Sequence, residues 1–242
     1  MRALLLAAGL GTRLRPITDT IPKCLVPIHG RPLIDIWFDL LADADVERIV
    51  VNTHYFADTV VDHVASSPYR DRIELLYEEE LLGTAGTMIA ARRLLGDGAF
   101  LLAHGDNLTT FDLPQMQKRH ENREPDIAMT MLAFRTDDPS SCGILETDAE
   151  SRVLAMHEKV AQPPGNLANA AVYIVEPEVA NYAASLGRSF VDFSTDVIPH
   201  FMGRIQMVET TGYHRDIGNP ESLAAAHREF PTPKGAVTGL IN

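Results

Sequence analysis

Leu4 to Lys23 reads LLLAAGLGTRLRPITDTIPK, and the order of chemistry along it decides the fold. Leu4-Leu5-Leu6-Ala7-Ala8 is an apolar run, as a strand buried on both faces requires. It leads directly into Gly9 and Gly11, then Thr12, Arg13 and Arg15, with Lys23 following Pro22. Glycines let backbone N–H groups come close to a phosphate, and neighbouring cations offset its charge. The stretch therefore predicts a polyphosphate site at the end of the first strand. It is not a dinucleotide fingerprint, because Leu14 stands where G-x-G-x-x-G needs its third glycine. G-x-x-x-x-G-K-[ST] is absent, so it is not a Walker-type loop either.

Outward from this stretch, strand-like and helix-like segments alternate. Apolar runs predict strands at Ala3–Ala8, Arg48–Asn52, Ile73–Tyr77, Ala99–Ala103 and Ile127–Phe134. Helices are predicted at Leu33–Ala44, Ala57–Ala65, Thr84–Leu95 and Leu113–Glu121. That alternation implies an α/β fold, with a mainly parallel sheet and helices on both faces. Leu33, Ile36, Trp37, Leu40 and Leu41 fall at helical spacing, which makes Trp37 a core residue. After about Asp137 the rhythm changes to a meander of Gly143–Thr147, Arg152–Glu158 and Ala168–Val175. Two helices are expected next, Pro177–Ser185 and Ser194–Phe201, the second capped by Ser194. A final hairpin of Arg204–Glu209 with Tyr213–Ile217 is expected, then a closing helix Pro220–Phe230 capped by Asn219. The tail from Pro231 to Asn242 has little to bury and reads as a loose arm.

Composition bounds the function. The 242 residues suit one large domain or two small ones, and 45% hydrophobic with 22% charged residues suits a globular protein. No apolar run is long enough to span a membrane. Cleaving a signal peptide would remove the glycine loop, so none is expected. Cys24 and Cys142 form neither a disulfide framework nor a metal spacing, consistent with a cytoplasmic setting. A net charge of −12 argues against a nucleic-acid partner. A phosphate substrate needs only local cations or a divalent metal.

Ligands of open α/β sheets sit at the carboxyl ends of strands. Gly9–Arg15, Gly83–Gly86 and Gly105-Asp106 each follow a predicted strand, so three distant glycine features should meet at one sheet edge. The pattern G-x-G-T-R-x-R-P followed by P-K resembles the signature of the sugar-1-phosphate nucleotidylyltransferases, or nucleotide-sugar pyrophosphorylases. Other stretches carry the resemblance in family order from Met1 to about Ala226. Glu80-Leu81-Leu82-Gly83-Thr84-Ala85-Gly86 is similar to a G-T-A-G base-binding segment, although Thr84 could simply cap a helix. Gly105-Asp106 matches a magnesium aspartate. Gly212 to Pro220 resembles W-x-D-I-G-T-P, with His214 in the tryptophan place and Asn219 in the threonine place. His157-Glu158-Lys159-Val160 resembles V-E-K-P, with valine for proline. Asn169-Ala170-Ala171-Val172-Tyr173 resembles N-A-G-x-Y, with Ala171 for glycine. Ser194 to Pro199 is similar to S-x-x-D-x-x-P, where Asp196 reads as a structural hydrogen-bonder.

The resemblance implies a Rossmann-like mixed sheet of the nucleotide-diphospho-sugar transferase type with a small β-rich sugar-binding portion. It implies one nucleotidyltransferase domain over residues 1–230, with the nucleotide part about 1–136 and the sugar part about 137–230. The implied nucleotide-binding residues are Leu6, Ala8, Gly9, Gly11, Thr12, Arg13, Lys23, Glu80, Gly83, Thr84, Gly86 and Asp106. Arg13 and Lys23 would be catalytic. Gly143, Glu158, Lys159 and Asn169 would hold the sugar phosphate, and Asp106 and Asp216 would ligate Mg²⁺. The implied reaction moves a nucleotidyl group from a nucleoside triphosphate to a sugar 1-phosphate and releases pyrophosphate. The motifs look most like the guanylyltransferases that use mannose 1-phosphate. Uridylyltransferases acting on glucose- or N-acetylmuramate-type phosphates are the alternative. The protein would be a monomer or small homo-oligomer. Two readings of other classes stand beside this one. One is a nucleotide-sugar sensor without activity. The other is a glycosyltransferase using Asp43-Ala44-Asp45 as its D-x-D motif.

Overall fold

The structure is a computed structural model that describes residues 1–231. The chain opens with β1 (Arg2–Leu6). β2 (Pro27–Ile28) and β3 (Arg31–Pro32) then form a short ribbon of their own. Helices and strands follow in alternation: α1 (Leu33–Asp43), β4 (Arg48–Thr53), α2 (Ala57–Ala65), β5 (Ile73–Tyr77), α3 (Thr84–Ala90), α4 (Arg92–Leu95) and β6 (Phe100–His104). Beyond them lie β7 (Asn107–Thr109), α5 (Leu113–Glu121), β8 (Met129–Arg135), β9 (Gly143–Thr147), β10 (Val153–Glu158) and β11 (Leu167–Val175). The last elements are α6 (Pro177–Ser185), β12 (Ile205–Glu209), β13 (His214–Asp216) and α7 (Pro220–Glu229).

Nine strands share one mixed sheet in the order β10-β9-β11-β6-β1-β4-β5, with β8 beside β11 and β12 beside β8. β5, β4, β1 and β6 run parallel, and β11 turns the sheet antiparallel. Side chains of β1 alternate between two cores. Leu4 and Leu6 join Met88 of α3 and Val179 of α6 on one face. Ala3 and Leu5 join Trp37 and Phe38 of α1 and Val60 of α2 on the other. This is the period of two that a strand dictates, applied to a run apolar at every position. A third cluster, with Leu14, Ile28, Leu33, Leu108, Ile217 and Leu223, fastens the glycine loop to β7 and α7. Trp37 is buried as expected, and its indole N–H donates to Asn107 O at 2.8 Å. Among the described residues no helix is long and apolar enough to cross a membrane.

Several expected elements are placed differently. Ala7 and Ala8 leave the strand, and their N–H groups donate to Asn52 Oδ1 at 2.6 and 3.3 Å instead of continuing the ladder. The helix expected over Thr84–Leu95 is two, divided at Ala91. Ser194 is not the cap of its helix. Asp192 is, accepting from Thr195 N at 2.9 Å, and the helix begins at Phe193. Pro199, which has no N–H to donate, lies where a π-helical turn gives way to a 3₁₀ turn. The final hairpin does not form: β12 pairs in parallel with β8, while β13 pairs antiparallel with β7. Between them Gly212 crosses so close to Thr110 that a β carbon would stand 1.9 Å from its carbonyl oxygen. The closing helix is capped by Asn219, which accepts from Ser222 N at 2.7 Å. Of the expected loose tail, residues 232–242 lie outside the described residues.

Candidate active site

The glycine loop emerges at the carboxyl end of β1. Gly11 holds φ at +62°, a left-handed conformation that glycine adopts without strain. A β carbon there would also stand 2.8 Å from Thr18 Cγ2 and 3.3 Å from Lys23 Cβ. Thr18 Oγ1 donates to Gly11 O at 2.7 Å and Leu14 is fully buried, so the loop is pinned at two points. Gly9, Leu10, Thr12 and Arg13 remain exposed along it. Leu6 and Ala8 are buried beneath it.

Two acids from distant parts of the chain meet one lysine beside this loop. Asp106 follows β6 after Gly105, and the β13–β7 ribbon sets Asp216 opposite Asn107. Lys23, 6% exposed, places Nζ 2.6 Å from Asp106 Oδ2 and 3.1 Å from Asp216 Oδ1. Arg13 lies 3.6 Å from Asp216 Oδ2. Burial works against the Lys23 charge, but Asp106 and Asp216 outweigh it and raise its pKa. Burial likewise works against the Asp106 charge, but Lys23 and His104 outweigh it and hold its carboxyl below the usual range. Lys23 and Asp106 are therefore both charged at neutral pH.

The residues fit a hard divalent cation. Mg²⁺ is commonly held by one or two carboxylates completed by substrate phosphates and water. Asp106 and Asp216 supply two, and the described residues offer no group of three or more His, Cys, Asp or Glu that would form an all-protein cage.

The segment after β5 carries a network that the sequence analysis missed. Glu80 is exposed, whereas Glu78 is 4% exposed. Glu78 Oε1 accepts from Asn52 Nδ2 at 2.9 Å and Thr87 Oγ1 at 2.5 Å, and Oε2 accepts from Leu82 N at 3.3 Å. Asn52 in turn holds the Ala7 and Ala8 amides, so one buried chain ties the glycine loop to the G-T-A-G segment. The available signal was Asn52 itself, a polar residue in an apolar strand that needs a buried partner. Gly83 and Gly86 also have a structural reason for being glycine. Gly83 holds φ at +80°, and its β carbon would stand 2.5 Å from Val191 O, which accepts from Ala85 N and Gly86 N. Thr84 Oγ1 is likewise engaged, donating to Asp192 and accepting from Phe193 N. Asp196 accepts from Asp192 N and pairs with Arg188, as a structural hydrogen-bonder does.

The residues expected on the sugar side gather by register. Glu158 pairs with Gly143, and Ala168 with Ile144, which sets Asn169 beside Gly143. A β carbon on Gly143 would stand 2.6 Å from Glu158 Oε2, so glycine makes room for that carboxylate. Lys159 is exposed and lies 3.3 Å from Glu158. Asn169 donates to Tyr173 OH at 2.7 Å and accepts from Ala171 N at 2.9 Å, across a break in the β11–β8 register. β11 pairs with β6 at Val172–Ala103, and Asn107 Nδ2 donates to Ala170 O at 3.3 Å. β11 thus abuts the Asp106 turn. Asp43 and Asp45 precede β4, on the sheet edge opposite the glycine loop. Cys24 is buried and Cys142 is half-buried, and both are free thiols.

The sequence profile described as nucleotidyl transferase matches residues 2–232. A mannose-1-phosphate guanyltransferase of Aspergillus fumigatus is 32% identical, over 92% of this chain and 62% of its own length. The chain thus spans about three-fifths of that relative. The UTP–glucose-1-phosphate uridylyltransferase AglF of Haloferax volcanii is 28% identical over 95% of this chain and 96% of its own. The crystal structure of HddC from Yersinia pseudotuberculosis complexed with GMP-PN superposes with a TM-score of 0.80 at 28% identity, covering 95% of this chain and 99% of that one.

Proposed function

This chain belongs to the nucleotidyl transferase family, and we propose that it joins a nucleoside triphosphate to a sugar 1-phosphate, releasing pyrophosphate. The observation that carries the proposal is the buried Lys23 ammonium between Asp106 and Asp216, with Arg13 alongside. A phosphate oxygen of the sugar 1-phosphate attacks the α-phosphorus. The new P–O bond forms as the bond to pyrophosphate breaks. The nucleophile is already an anion, so no general base is required, and the work is positioning and charge stabilisation.

Arg13, exposed on the glycine loop, takes the charge developing on pyrophosphate. Lys23 holds the triphosphate near the attacked phosphorus. Lys159 holds the sugar phosphate in line, while Glu158 and Asn169 accept and donate hydrogen bonds to the sugar hydroxyls. Asp106 and Asp216 would hold Mg²⁺, which when bound neutralises phosphate charge. Glu80, Gly83, Thr84 and Gly86 belong to the segment we assign to the base. Residues 1–230 act as one unit, consistent with the continuous sheet that runs under both halves. We place the protein in the cytoplasm, as a monomer or small homo-oligomer.

GTP with mannose 1-phosphate is the favoured pair, in line with the guanyltransferase relative. UTP with glucose 1-phosphate is the second reading, because the Haloferax volcanii uridylyltransferase is matched over nearly its whole length. The glycosyltransferase reading loses support, since Asp43 and Asp45 lie at the wrong sheet edge. Pyrophosphate release, measured across GTP, UTP, ATP, CTP and dTTP with a panel of sugar 1-phosphates, tests the proposal. Release with one pair is expected; no release with any pair would leave a sensor.

A further inference from the structure

We infer that Lys23 is an internal counter-cation that holds the Asp106–Asp216 pair closed, and that a divalent cation enters by displacing its ammonium, releasing Lys23 toward the triphosphate. This rests on the function proposed above. Lys23 Nζ bonds one oxygen of each acid, at 2.6 and 3.1 Å, and its side chain is 7% exposed. Arg13 approaches the other oxygen of Asp216 at 3.6 Å. Two cations thus face two anions, and the cluster is balanced without any added ion. A divalent cation arriving alone meets carboxylates already paired and two positive charges at close range. The same cation arriving with a polyphosphate brings the anion that Lys23 and Arg13 need once the acids are taken. Cation and triphosphate therefore favour each other's binding, and a cation by itself binds weakly. Lys23 is in this sense a positioning residue for the cation as well as a contact for the nucleotide.

The test is Mn²⁺ binding without nucleotide, followed by electron paramagnetic resonance of the free ion. Lys23→Met leaves the acids unpaired by lysine, so its Mn²⁺ affinity should rise at least tenfold over wild type. Lys118→Met, which removes an exposed positive charge on α5, should change it less than twofold. Asp106→Asn in the Lys23→Met background should abolish the gain. Equal or weaker Mn²⁺ binding by a folded Lys23→Met protein overturns the exchange. If that variant does not fold, ¹⁵N spectra of the wild-type lysine ammonium groups decide. Mg²⁺ should shift or remove the Lys23 signal, and saturation with Mg²⁺ that leaves it unmoved overturns the exchange. Pyrophosphate release by wild type reports on the reaction separately. A protein that turns over but fails these binding tests loses only the exchange, whereas one that binds no Mn²⁺ in any form loses the metal assignment too.

Discussion

Gly218 lies directly against Asp216: a β carbon at 218 would stand 2.7 Å from Asp216 Oδ2 and 2.9 Å from the Arg13 guanidinium. The glycine therefore leaves space for these two side chains to meet. Gly218→Ala has no positive φ to strain, and it displaces only side-chain ends. Its melting temperature should stay near that of wild type, while pyrophosphate release falls about tenfold, less than the ~10²-fold that a 1 Å misplacement can cost. A large loss of stability with normal turnover would contradict this.

Arg13 itself is exposed and contributes little to folding. Arg13→Ala should lower kcat by about 10²–10³, the usual cost of one preorganised donor to developing charge. Steady-state kinetics with the productive substrate pair measure it. Turnover within a few-fold of wild type would remove Arg13 from the mechanism.

Ala171 holds φ at +52°, where an L-residue with a side chain is strained by roughly 1–2 kcal/mol. It marks the register break in β11. Ala171→Gly relieves that strain and loses some of the gain to unfolded-chain entropy. A net stabilisation of about 1 kcal/mol is expected, read as a rise of roughly 2–4 °C in melting temperature.

Glu78→Ala removes an acceptor shared by Asn52 Nδ2, Thr87 Oγ1 and Leu82 N, leaving the longer bonds from Asn52 Nδ2 to Thr87 Oγ1 at 3.3 Å and from Thr87 Oγ1 to Gly83 O at 3.1 Å. Losing hydrogen bonds of this kind costs about 1 kcal/mol each. Urea unfolding should report a loss of about 3 kcal/mol. Because Asn52 also holds the Ala7 and Ala8 amides, the KM for nucleotide should rise as well.

His214 packs on Phe134 with ring centroids 4.1 Å apart, and burial lowers its pKa to about 3. Its Nδ1 has no hydrogen-bond partner among the described residues. The unfolded chain titrates this histidine near 6.5, so below that pH the unfolded state binds the extra proton. Stability should be unaffected by this group above pH 7 and fall as pH drops through 6.5. The loss is up to about 2 kcal/mol at pH 5, at 1.36 kcal/mol per pH unit. His214→Phe should flatten that slope; an unchanged slope in denaturant titrations at pH 7 and pH 5 would place the titrating group elsewhere.

The sequence by itself determined the alternation of strands and helices, the two-sided burial of β1, the glycine loop and the residue types of the acid and base groups. These are local properties: apolar runs, glycine freedom and capping residues act on near neighbours. It also singled out Arg13, Lys23, Asp106 and Asp216, because each sits in a short motif. Tertiary structure alone decided that Asp216 reaches Asp106. That meeting depends on β13 leaving β12 to pair with β7, a non-local choice made where Gly212 passes Thr110. It also decided that Glu78, not Glu80, is the buried carboxylate of its run, since burial follows from what packs above a residue. The same holds for the 2.6 Å contact of Lys23 with Asp106, which sums the packing of the third core cluster and the register of the sheet. No window of sequence contains both partners of such a contact, so only the folded chain brings their charges within range.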